Sequence, residues 1–205
     1  LTTNNSETAS PLFSPNGQYI AYIGTEDGGT EIYIMPSKGG PSKRVTFDGG
    51  FISQISLWKD DTIYYASTLS STIGRVLDLR TINAKGGPSS PLNYGMARNI
   101  SISTHGTILG KNTADPARWK RYKGGTAGEI LIDLNNKNIF KKLFNIKGNI
   151  ACPMWIDKRI YFISDHEGIG NIYSCNRYGK NITRHTNHRN YFARNASTDG
   201  TNIAY

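Results

Sequence analysis

Across residues 157–186, three short runs stand between polar turns: 159–164, 171–176 and 181–186. The runs are rich in Ile, Tyr, Phe and Thr, which suit a pleated, half-buried surface. Short runs of that composition bounded by turn residues read as strands. Between them stand Asp165-His166-Glu167-Gly168 and Arg177-Tyr178-Gly179-Lys180, where glycine offers the positive φ that tight hairpin turns require. The pattern predicts an antiparallel meander.

The same pattern recurs down the chain. The turns Asn16-Gly17, Asp60-Asp61, His105-Gly106, Asp157-Lys158 and Asp199-Gly200 each precede an apolar run, and their second members lie 44, 45, 52 and 42 residues apart. Those runs, the second strands, are 19–22, 63–66, 107–110, 159–162 and 202–205. First strands fall at 9–13, 51–57, 97–102, 150–155 and 191–197. Third strands are predicted at 31–35, 75–79, 129–134 and 171–175, and fourth strands at 42–47, 90–94, 140–145 and 181–186. A period in the forties with four strands per unit is the signature of a propeller blade. A blade buries its faces only by leaning on neighbours, so blades come in series. The fold expected is an all-β propeller: four complete four-stranded blades, over roughly 8–47, 51–95, 96–145 and 149–186, plus the first hairpin of a fifth, 191–205. No stretch carries the pattern of a long amphipathic helix.

The third unit is longest because of an insert, 112–126, between its second and third strands. An insert of that length in a regular array points to function or disorder. Trp119 and Tyr122 give it something to pack with, which favours order.

Charge enters here. The chain has 24 Lys and Arg against 15 Asp and Glu, a net +9. Such a surplus suits nucleic acid, an anionic membrane or an acidic ligand, or only a solvated surface. Its densest group is Arg118, Lys120, Arg121 and Lys123, around Trp119. That group reads as a contact for peptide carboxylates or a neighbouring domain, Arg being suited to bidentate carboxylate binding, or as a solvated loop packing Trp119 on its own blade. A nucleic-acid role is disfavoured, since stacking needs a larger aromatic platform than one loop provides. No run is long and apolar enough to span a bilayer, and no signal peptide opens the chain. Leu1 and Tyr205 read as cut ends, and an incomplete array with open edges is expected to associate.

Other candidates for chemistry are weaker. Ser164 adjoins Asp165-His166-Glu167, but neighbours at a hairpin tip diverge, so no catalytic relay is expected and the stretch reads as a polar turn. His185 and His188 have a usable metal spacing, yet with His105 and His166 they make an incomplete ligand set. No metal or cofactor is expected. Cys152 and Cys175, outside any C-x-x-C motif, read as buried thiols and lean towards a reducing compartment. Sequons begin at Asn4, Asn99, Asn181 and Asn195 and are read as chance matches.

The turn Ser14-Pro15-Asn16-Gly17 with Thr46-Phe47 resembles the repeat of Tol-type and peptidase-associated propellers. Longer stretches are more specific. Gly110-Lys-Asn-Thr113, the Trp119–Gly128 text with its Gly-Gly-Thr, residues 159–174 and Arg184-His-Thr186 resemble the first, six-bladed propeller of the tricorn protease family. That resemblance implies a cytoplasmic serine peptidase that degrades short peptides downstream of the proteasome and assembles as a hexamer. Its propellers would filter and channel peptides to an active site held on other domains. By that mapping this chain is part of a six-bladed propeller and carries no catalytic residues. The alternative left open is a Tol-like scaffold that binds proteins and belongs to no enzyme.

Overall fold

The computed structural model describes residues 6–72, 74 and 76–205. Among them are eighteen strands and no helix. The chain divides into two compact units, residues 1–98 and 99–205. No helix is long and apolar enough to cross a membrane among the described residues.

The first unit holds two four-stranded meanders. One is β1 (Thr8–Phe13), β2 (Tyr19–Gly24), β3 (Glu31–Pro36) and β4 (Lys43–Arg44); the other is β5 (Ile52–Lys59), β6 (Thr62–Ser67), β7 (Asp78–Asn83) and β8 (Ser90–Met96). Every pairing is antiparallel between consecutive strands. The two sheets bury one face on each other through Ala21, Ile23, Ile32 and Val45 against Ile52, Ile55, Ile63 and Tyr65. A bulge in β1 puts Ser10 at φ 53°, and its hydroxyl accepts the Ile55 amide at 2.9 Å, stitching the first strands of the two blades.

The second unit repeats the plan. It comprises β9 (Asn99–Ser103), β10 (Gly106–Lys111), β11 (Glu129–Asp133) and β12 (Lys141–Lys142), then β13 (Ile150–Ile156), β14 (Arg159–Ser164), β15 (Asn171–Asn176) and β16 (Thr183–Arg184). A final hairpin pairs β17 (Ser197–Thr198) with β18 (Ile203–Ala204). Ile108, Ile130 and Ile132 meet Trp155, Ile160, Phe162 and Tyr173 in the core between the third and fourth blades. The Ser101 hydroxyl accepts the Trp155 amide at 3.0 Å, again joining first strands.

Several predicted strands move. The third strand of the second blade is β7, Asp78–Asn83, not 75–79. Its centre is Arg80, only 7 % exposed, which a reading of apolar runs passes over. Ser70, Ser89 and Asp48 surround its guanidinium and permit the burial. Three fourth strands contract to two residues, β4, β12 and β16. In two of them a side chain replaces the ladder: the Ile32 amide donates to Thr46 Oγ1 at 2.8 Å and the Ile172 amide to Thr186 Oγ1 at 2.9 Å. The predicted strand 191–197 survives only as β17, because Asn195 adopts φ 51°, outside the extended region.

Candidate functional site

The insert 112–126 joins β10 to β11 and is built outward from the third blade. At its root the Thr113 hydroxyl donates to Asn99 Oδ1 at 2.5 Å, both residues being buried. Asp115 then forms a turn, with Oδ1 accepting the Ala117 amide at 3.0 Å, the local capping that aspartate performs well. Its other oxygen accepts from Arg194 Nε at 2.8 Å, across to the connection between β16 and β17. At its far end Gly128 lies so close to the Ile150 backbone that any side chain would strike the Ile150 carbonyl.

The middle of the insert hangs on a carboxylate of the fourth blade. Asp165 is 1 % exposed. Its Oδ2 accepts the Arg121 amide at 2.6 Å and Asn149 Nδ2 at 3.0 Å, while Oδ1 accepts the Asn149 amide at 2.7 Å. Asn149 Nδ2 also donates to the Trp119 carbonyl at 2.6 Å. Two backbone groups of the loop are thus fixed by buried Asp165 and half-buried Asn149, and Arg121 is held at φ 57°. The stretch is the polar turn expected, the Gly168 amide donating to the Asp165 carbonyl at 2.8 Å; the Asp165 carboxylate is in addition a buried anchor, and adjacency in sequence gave no sign of what lay above it.

With its backbone held, the insert presents its side chains outward. Arg118, Trp119, Lys120, Arg121 and Lys123 are all exposed, Trp119 by 60 %. The alternative that Trp119 is packed onto its own blade is therefore overturned; it leans on Tyr122, ring centroids 5.4 Å apart. Among the described residues none of the four cations forms an ion pair. Three other basic side chains of this unit do have carboxylate partners: Lys142 with Glu129 at 2.7 Å, Arg184 with Glu167 at 3.2 Å, and Arg194 with Asp115. Lys120 Nζ instead sits 5.4 Å from the Phe192 ring centroid.

The other candidates resolve differently. Ser164 and His166 do meet, Oγ to Nδ1 at 3.0 Å, but Ser164 is fully buried and Asp165 turns to Asn149 and Arg121 instead of orienting the imidazole. Burial pushes the His166 pKa below its ordinary value, and its ring packs 4.5 Å from that of Tyr173. Glu167 accepts from the Tyr173 hydroxyl at 2.8 Å. That bond, with His166 and Arg184 nearby, holds its carboxyl below the usual range against a smaller opposing effect of burial.

A contact that the sequence did not suggest lies on the outer strands. Ser174 Oγ is 2.7 Å from His185 Nε2 and accepts from Arg159 Nε at 2.7 Å. Ser174 is fully buried, so the contact ties β14 and β15 to the residue after β16 and closes the hydroxyl to a substrate. His185 is thereby held apart from His188, whose ring meets Tyr205 at 5.6 Å. Among the described residues no three metal-ligating side chains cluster. Burial pushes the Cys175 thiol up to about 12. The sequon at Asn4 lies outside the described residues, and Asn99 is buried in β9.

Comparison with known proteins brings these features together. The model of the tricorn protease N-terminal β-propeller domain matches residues 1–205. Tricorn protease homolog 1 of Streptomyces coelicolor is 36 % identical over 208 residues, covering 100 % of this chain and 20 % of its own length. A crystal structure of the tricorn protease superposes with a TM-score of 0.89 at 28 % identity, over 98 % of this chain and 21 % of that one. A TolB structure from Agrobacterium tumefaciens superposes at 0.69 with 15 % identity, over 90 % of this chain and 64 % of that one, a likeness of fold alone. The chain spans about a fifth of the length of the tricorn relatives it matches.

Proposed function

This chain belongs to the tricorn protease N-terminal β-propeller family, and from that premise we propose that it is a non-catalytic propeller segment of a serine-type peptidase that degrades short peptides. Its part is to gate or channel peptides and to provide an assembly surface to the other domains and subunits, in a cytoplasmic homo-hexamer. The family assignment favours this over the Tol-like scaffold. One observation carries the reading of the site: four exposed cations without ion pairs surround an exposed tryptophan on a loop whose backbone is fixed by a buried carboxylate.

The physical logic is preorganisation. A contact loop that is already ordered loses little conformational entropy when it meets its partner. Unmatched Arg and Lys side chains attract carboxylates from a distance and select against basic partners. The site's polar anchors, Asp165 and Asn149, face inward and do not neutralise that charge. The antiparallel sheets of the third and fourth blades supply the platform. The residues that could suggest hydrolysis, Ser164 with His166 and Ser174 with His185, are spent on capping a turn and joining outer strands, so chemistry is assigned to domains other than this one.

The test is made in the full-length protein. Arg118, Lys120, Arg121 and Lys123 are replaced together by Gln. The expected result is impaired subunit assembly, impaired peptide turnover, or both, with an unchanged melting temperature. Wild-type assembly and wild-type turnover together would show the insert to be structural only.

A further inference from the structure

The insert does not stand alone. The connection between β16 and β17 carries Arg189, Tyr191 and Phe192, and two contacts bring it against the insert. Arg194 bonds Asp115 at 2.8 Å, and Lys120 lies over Phe192 at 5.4 Å. Arg189 is exposed and, among the described residues, forms no ion pair; Tyr191 is 78 % exposed. Ala193 fixes the backbone of this connection, its amide donating to the Gly170 carbonyl at 2.8 Å. Two separately anchored stretches therefore present aromatic rings and unmatched cations side by side.

We infer that they form one binding surface for an extended polypeptide segment carrying several acidic side chains, reaching from Trp119 across Phe192 to Tyr191 and Arg189. The inference rests on reading the insert as a contact surface, and names its partner. Charge complementarity sets the partner's sign: five unmatched cations call for several carboxylates, more than the single charge of a peptide terminus. Exposed rings beside cations take the apolar stems and the peptide planes between acidic residues. Lys120 lies over the Phe192 ring and Arg189 stands two residues before Tyr191 in sequence, and each can take an acidic side chain in a charge-assisted hydrogen bond. A polynucleotide would satisfy the charge equally, but continuous base stacking needs rings presented in succession along a strand path. Here the two exposed rings, Trp119 and Tyr191, stand on separate stretches of chain.

The experiment uses this chain and an acetylated, amidated peptide with alternating Glu and Gly, so that no terminal charge contributes. A lysine counterpart and a single-stranded oligo-dT are compared by titration calorimetry. The acidic peptide binds, the lysine peptide does not, and affinity for the acidic peptide falls as salt is raised. R189A/Y191A weakens it by roughly fivefold, the size of one lost surface charge contact plus one ring contact. Wild-type affinity in R189A/Y191A would overturn the extended surface while leaving the insert's role intact. Tighter binding of oligo-dT than of the peptide would overturn the choice of partner. Absence of acidic-peptide binding to the wild-type chain would overturn the inference altogether, and assembly and turnover of the full-length quadruple Gln variant would still decide the insert's role independently.

Discussion

Asp165 shows how one side chain sets the geometry of a surface it does not belong to. Its carboxylate holds amides of Arg121 and Asn149. Asp165→Ala removes both of these charge-assisted bonds, each worth about 1.5–3 kcal/mol. The expected outcome is a lower denaturation midpoint and faster tryptic cleavage within the insert, while cleavage at Lys158 keeps its wild-type rate. Glu167 gives a pH signature. Its folded pKa is depressed, chiefly by the Tyr173 hydroxyl, so the stability it contributes is present above the ordinary carboxylate pKa and is lost as pH falls through the depressed value. Glu167→Gln is therefore expected to flatten the acid side of a stability-versus-pH profile and leave its neutral part less affected by pH. Cys175, raised to about 12 by burial, is expected to resist a thiol reagent at pH 8 until the chain unfolds. Of these roles only the buried thiol of Cys175 was visible in the letters. An Asp beside a His at a hairpin tip looks the same whether it faces water or a loop 44 residues away, and burial is what separates the two cases.

Among the elements, second strands were the most readable, because each follows a turn and runs apolar through a blade's centre. Tyr19–Gly24, Thr62–Ser67, Gly106–Lys111 and Arg159–Ser164 all contain the runs read from the sequence. Fourth strands were least readable. They lie at the exposed edge, where little apolar surface is buried and the alternating pattern loses its meaning. In the first and fourth blades a threonine two residues past the strand's arginine does the work of a ladder bond: Thr46 after Arg44, Thr186 after Arg184. Thr46 also donates to Glu31, itself buried and paired with Arg44 at 2.8 Å. Thr46→Val removes the acceptor for Ile32 and the donor to Glu31, and is expected to lower stability by about 1–3 kcal/mol, read from urea denaturation. In the third blade Phe144 stands at the matching place after Lys142, and its ring packs 5.1 Å from Phe162. That substitution of packing for a hydrogen bond is why the strand-closing motif does not recur in every unit. β7 was misplaced for the opposite reason: a buried arginine interrupts its hydrophobic run, and only Asp48, Ser70 and Ser89 make that arginine tolerable.

For the molecule as a whole, repetition was the legible quantity. Turns spaced 42 to 52 residues apart disclosed the blades, and the one long spacing marked the insert. The net charge of +9 said nothing about where charge would be left unmatched. The structure adds that the insert's four cations cluster on one held loop and, among the described residues, form no ion pair, whereas Lys142 and Arg184 meet Glu129 and Glu167. The account stands on the insert being a held surface before any partner arrives. Amide hydrogen exchange at Arg121 tests this most directly. With the Arg121 amide donating to buried Asp165, exchange in the free chain is expected to be slowed well below the rate of an unstructured loop, to become fast in Asp165→Ala, and to stay slow when the four cations are neutralised. An Arg121 amide that exchanges at the unstructured rate in the wild-type chain would contradict the account.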